Sequence, residues 1–175
     1  MSTRKTNGAV AVSTPKLITP NIGLSDASRR ATAKLLNVHL ANVFVLYTKT
    51  RNYHWNIVGM QFQPLHGFFE EQYDALAEAM DEIAERVRQV GGVAAGTLEE
   101  FSQLTTLDEE PGHIPSAHEM VANLLSDHEQ IIRDLRKDVD TTAEEYKDVG
   151  TSDFLTGLME QHEKMAWMLR AFLEG

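Results

Sequence analysis

Apolar positions fall into four long stretches with the spacing of helices. From Ser25 to about Asn56, Leu36, Leu40, Val43 and Tyr47 step by four and three, so they share one helix face. Ser25 suits the N-cap of that helix. A second helix takes Pro64 in its first turn and stops at Gly91-Gly92, with Phe69, Tyr73, Leu76, Met80, Ile83 and Val87 along its stripe. A third starts near Ser116, turns Val121, Leu125, Ile132, Leu135 and Val139 inward, and ends before Gly150. A fourth starts near Thr151 and carries Leu155, Leu158, Met165, Leu169 and Leu173. Residues 93–115, broken by Gly96, Pro111, Gly112 and Pro115, form a long middle connection with a short helix near Leu98–Gln103.

No two-residue alternation competes with these stretches. The pattern predicts an all-α four-helix bundle over residues 25–175, with a short helix in the middle connection. Residues 1–24 are expected to be an extended arm. They carry few large apolar groups, Pro15 and Pro20 interrupt them, and their charge is Arg4, Lys5 and Lys16.

Composition narrows the chemistry. With no Cys there is neither a disulfide framework nor a thiolate metal site. No apolar run reaches the length of a membrane span and no apolar leader opens the chain, so a soluble cytoplasmic protein without a membrane partner is expected. The net charge of −10 repels nucleic acid and favours cations.

Helical bundles often hold a di-iron centre built from a Glu on each of two helices and a Glu-x-x-His on each of the others. Residues 27–56 contain no Asp or Glu, and the one Glu-x-x-His, Glu110 to His113, is interrupted by Pro111-Gly112. The second helix offers a different set. His66 and Glu70 are four apart, and so are Asp81 and Glu85. At 100° per residue all four fall within an arc of roughly 100° beside the apolar stripe.

The two pairs are 15 residues apart, or roughly 22 Å at 1.5 Å per residue, too far for one ion. Two copies of this helix packed antiparallel about a two-fold axis near residues 75–76 bring the first pair of one copy against the second pair of the other. Ala75, Ala77 and Ala79 permit that approach. His54, near the end of the first helix, is a third candidate for the first pair. Imidazole with carboxylate suits iron, zinc or manganese better than calcium. The plain alternative is that the carboxylates are solvated helix charges and the histidines hydrogen-bonded core residues.

The stretch Asn52-Tyr-His-Trp-Asn-Ile-Val-Gly, then Phe62, Leu65-His66, Asp81-Glu-Ile-Ala-Glu85-Arg86 and Gly91-Gly92 resembles the Dps family of mini-ferritins, and the likeness extends over residues 25–173. The resemblance implies a ferritin-like bundle that assembles into a hollow dodecameric shell. It implies a ferroxidase that takes ferrous iron as substrate and prefers hydrogen peroxide as oxidant, with zinc as a substitute ion. His54, His66 and Glu70 would come from one subunit, and Asp81 and Glu85 from its partner. The family usually has Asp where this chain has Glu70, which lengthens the arm of that ligand. Trp55 is implied as a sink for stray oxidising equivalents, with an interface aromatic as its alternative. Glu144, Asp148 and Asp153, near the turn between the third and fourth helices, are implied as an iron-entry pore, with a solvated turn as theirs.

His128 and His162 lie on the inward stripes of the last two helices and are expected to face each other. Some Dps relatives also compact DNA, which would associate the protein with the nucleoid. The three cations of the arm stand against roughly −120 for twelve chains, which weighs against direct DNA binding.

Overall fold

A computed structural model describes residues 18–174. It holds five α-helices: α1 (Asp26–Asn56), α2 (Phe62–Gln89), the short α3 (Leu98–Leu104), α4 (Ala117–Asp140) and α5 (Val149–Leu173). α1 packs along α2 and α4 along α5, and α3 lies against α1. Most of the expected arm, residues 1–17, falls outside the described residues, and residues 18–24 lead into α1 without helix. Among the described residues, no helix is long and apolar enough to cross a membrane.

The helix ends follow local chemistry. Ser25 caps α1 by accepting from Ser28 N. Capping boxes open α3 (Thr97 with Glu100) and α4 (Ser116 with Glu119). α2 stops where Gly92 N bonds Val87 O and Gly91 N bonds Arg88 O, a Schellman arrangement that puts Gly91 at φ 87°. A side chain at Gly91 would strike Pro20 at 2.6 Å and Arg29 at 2.8 Å, so glycine is needed there for space as well as for φ.

The core runs the length of the bundle. Leu36, Leu46, Phe69, Leu76, Ile83, Leu135, Leu155 and Leu169 are fully buried. On α4 the inward face differs by one position from the expected stripe. Leu124 and Ile131 are fully buried, whereas Leu125 and Ile132 are half-buried against the core. The doublets Leu124-Leu125 and Ile131-Ile132 leave the phase open by one residue. Met120, Leu124, His128, Ile131 and Leu135 settle it by sharing one face.

α4 does not simply end. Residues Thr141–Glu145 widen into a π turn. Thr141 Oγ1 bonds Lys137 O, and Thr142 Oγ1 bonds both Asp138 O and Val139 O, so side chains compete for the last carbonyls of the helix. Lys147 then takes φ 58°, the turn that lets Asp148 N reach Thr142 O.

Two buried polar residues of α1 hold the outer elements. His39 Nε2 meets Asp138 Oδ2 at 2.8 Å and ties α1 to α4. Asn42, fully buried, holds the strap after α3: its Oδ1 accepts from Thr106 N at 2.7 Å and Thr105 Oγ1 at 2.9 Å, and its Nδ2 donates to Thr106 Oγ1. Asn42→Ala removes these bonds and leaves a strap amide without its partner. We expect a loss of about 2–4 kcal/mol in urea unfolding, with helix content by circular dichroism unchanged.

Candidate metal centre

α1 ends beside the start of α2, and the two candidate histidines meet there. His54 lies in the last turn of α1 and is buried, while His66 near the start of α2 is half-buried. The final backbone bond of α1 runs from Ile57 N to Tyr53 O, which leaves the His54 carbonyl beyond the helical ladder. His66 Nδ1 donates to that carbonyl at 3.0 Å, and His54 Nδ1 donates to the His66 carbonyl at 2.8 Å. The rings stack at 3.7 Å with 22° between their planes. Since a carbonyl only accepts, both imidazoles carry a proton at Nδ1, and in the neutral ring Nε2 is the nitrogen with the free lone pair. This is how a protein pre-sets imidazole for a metal.

Further side chains close the neighbourhood. Phe62 stacks on the outer side of His66 at 4.9 Å, and Tyr73 meets His54 edge-on at 5.2 Å. Tyr73 Oη donates to Glu70 Oε1 at 3.2 Å. Burial, then the adjacent Glu70 carboxylate, push the Tyr73 phenol up, so it remains a donor at neutral pH. The Arg51 guanidinium lies 4.7 Å from the Tyr73 ring centre, 5.3 Å from Trp55 and 5.6 Å from Tyr47, and its Nη1 donates to Tyr47 Oη at 2.7 Å. Tyr47, Arg51 and Trp55 stand at i, i+4 and i+8 on one helix, the one signal of this box in the sequence, while Tyr73 joins it from α2. Trp55 itself is exposed, 65 % of its surface being open.

Glu70, Asp81 and Glu85 are all exposed along α2, and the side chains of Asp81 and Glu85 make no hydrogen bond or ion pair among the described residues. Within one chain the structure joins His54 to His66 and sets Tyr73 against Glu70. It leaves Asp81 and Glu85 on the far half of α2. No three His, Asp or Glu residues among those described gather around a point that one ion could occupy.

Of the residues assigned to a pore, Glu144 and Asp153 are exposed. Asp148 is buried, and its carboxylate is committed elsewhere. Oδ1 accepts from Thr151 N at 3.0 Å and from Arg86 Nη2 at 3.3 Å, and Oδ2 accepts from Thr151 Oγ1 at 2.6 Å. Asp148 is the N-cap of α5 and its anchor to α2, whereas Glu144 and Asp153 stay open. The Asp-x-x-Thr spacing before the helix was the available signal.

The sequence matches the Ferritin-like domain over residues 33–175. It is 39% identical over 140 residues to a DNA protection during starvation protein of Bacillus anthracis, covering 80% of this chain and 94% of that one. The chain belongs to the Dps mini-ferritins. A low temperature-induced protein of Nostoc sp. is 56% identical over 155 residues, 89% of this chain and 87% of the relative. Among solved structures, a Dps protein of Vibrio cholerae O1, described as a member of a broad superfamily of ferritin-like diiron-carboxylate proteins, superposes with a TM-score of 0.83 at 32% identity, over 89% of this chain and 97% of that one. The mini-ferritin fold is therefore the all-α bundle with a short middle helix that the hydrophobic pattern predicts.

The reciprocal histidine pair makes a spectroscopic statement. Long-range ¹⁵N–¹H correlations on metal-free, histidine-labelled protein, assigned with single His→Gln variants, should show His54 and His66 both protonated at Nδ1. A ring without a proton on Nδ1 would contradict the geometry.

Proposed function

We propose that the protein is a subunit of a dodecameric ferroxidase shell that oxidises ferrous iron at sites shared between two-fold related subunits and stores the ferric product. The observation that carries this reading is the layout of α2. Two ligand pairs stand roughly 22 Å apart on its exposed side, and the histidine half is already in the metal-binding tautomer. Neither half is a site alone. A second copy, packed antiparallel against the first, supplies Asp81 and Glu85 to the His54, His66 and Glu70 of its neighbour, and the symmetry makes two such sites per interface. The family membership supports the fold and the assembly.

The residues divide the work. Imidazole Nε2 atoms hold ferrous iron, and hard carboxylate oxygens stabilise the ferric product. Glu70 is steadied by the Tyr73 hydroxyl, which orients the longer arm of this ligand. The oxidant is hydrogen peroxide. Two ferrous ions give one electron each, the O–O bond breaks, and two protons complete two waters. Pairing two one-electron donors with a two-electron oxidant releases no hydroxyl radical, which protects DNA chemically. Exposed Glu144 and Asp153 attract the incoming cation at the opening of the shell. Trp55, open to solvent beside Arg51, takes up stray oxidising equivalents. Zinc fills the same ligands as a redox-inert competitor.

Direct DNA compaction is the weaker reading, because the acidic charge of each chain opposes phosphate. The shared site has a genetic signature. His66→Ala and Asp81→Ala shells should each lose most peroxide-driven iron oxidation. Shells assembled from an equal mixture should recover about one quarter of wild-type activity, since half the interfaces are mixed and half of their sites escape both lesions. Absence of recovery, in shells shown by mass spectrometry to be mixed, would refute inter-subunit sharing.

A further inference from the structure

A second pair of histidines lies away from the exposed side of α2, in the interior of the bundle. His128 on α4 and His162 on α5 are fully buried, with their Nδ1 atoms 2.9 Å apart. Only one proton fits between those two nitrogens. The ring that donates it keeps a bare lone pair at Nε2, and the ring that accepts it carries N–H at Nε2. Both Nε2 atoms are buried and find no partner among the described residues.

Gln72 of α2 is buried in the same condition, with neither its amide oxygen nor its nitrogen paired among the described residues. The contacts of α1 fix the level of these groups. Tyr47 meets Tyr73 of α2, Lys49 pairs with Asp127 of α4, and Tyr53 accepts from Asn123. Gln72 and His128 therefore flank the same stretch of α1, around residues 47–50. Four unpaired polar atoms at one level of an apolar bundle cost about 1–3 kcal/mol each, which native interiors rarely leave without a reason.

The surroundings define what could bind. Burial, and then the neighbouring imidazole, hold His128 well below the usual histidine range, and burial with His39 lowers His162 to about 3, so both rings are neutral donors. The carboxylates along α4 near His128 are engaged, Asp127 by Lys49, Glu129 by Arg170 and Asp134 by Gln130, as is Asp138 by His39. No anionic ligand offsets a dication here, and the desolvation cost of a dication is about four times that of a monocation. Met159 and Met165, both buried, stand three residues to either side of His162 on its own helix face, and thioethers are soft donors.

We propose that His128 and His162 form a buried site for a soft monovalent metal ion, cuprous copper, inside the bundle of a single subunit. The ion inserts between the two Nδ1 atoms, which part to reach metal–nitrogen bonds near ~2 Å. The shared proton moves to Nε2 of its own ring, so no proton leaves the protein. Both Nε2 atoms are then donors, at the level of the unpaired Gln72 oxygen. The site uses none of the ligands of the ferroxidase reading and does not depend on it.

The test titrates anaerobic shells carrying His54→Ala and His66→Ala with Cu(I) against a chromophoric cuprous chelator. One Cu(I) per subunit should resist the chelator, and adding His128→Gln or His162→Gln should weaken capture at least tenfold in shells of unchanged circular dichroism. Copper-edge X-ray absorption of the Cu(I)-loaded His54→Ala and His66→Ala shell should show two imidazoles on the metal, a readout that leaves His128 and His162 in place. The proposal is overturned by the absence of a chelator-resistant equivalent, by equal capture without His128 and His162, by fewer than two imidazoles, or by Zn(II) displacing Cu(I).

Discussion

Two imidazoles bonded to each other's backbone fix the junction of α1 and α2, and the surface chemistry of this protein depends on that junction. His66 supplies the donor that the end of α1 lacks, and His54 returns the bond to α2. The same pair of bonds closes a helix end, joins two helices and fixes a proton at Nδ1 of the two histidines proposed as metal ligands. Replacing either histidine with an apolar residue of similar size would leave an unpaired carbonyl.

Around that junction the bundle separates its polar groups by task. α1 has no acidic residue after its opening turn, so the interior lacks the carboxylates of an intrachain di-iron centre. The buried polar side chains of α1 are structural instead: His39 reaches Asp138 and Asn42 holds the strap after α3. The carboxylates of the proposed shared site lie on the exposed side of α2, where one chain holds Glu70 far from Asp81 and Glu85. In the proposed arrangement the site is completed only by assembly, which would keep its ligands apart in an unassembled subunit.

Most of the architecture was legible before any coordinates, because its signals are local. Ser25, Ser116 and Gly91-Gly92 mark helix ends through bonds within a turn, and the stripe of α2 matches its buried face closely. The misses arise where a local pattern admits two answers. The doublets of α4 allow two phases, and only packing chooses Leu124 and Ile131. The π turn comes from Thr141 and Thr142 bonding backward, which ordinary helix spacing does not announce. Asp148 reads as one more surface acid until Arg86, 62 residues earlier, is seen to hold it. The His54–His66 exchange was hidden because it pairs side chains with carbonyls across a turn whose geometry the sequence does not contain.

The account stands or falls on the ownership of ligands at one ion. A crystal of the assembled shell soaked anaerobically with ferrous iron, with anomalous differences collected at the iron edge, measures it directly. The account predicts two symmetry-related groups of iron peaks at each two-fold interface, each bonded to His54 and His66 of one subunit and to Asp81 and Glu85 of the other. Iron bound by ligands of a single chain, or no iron at the two-fold interface, would contradict it.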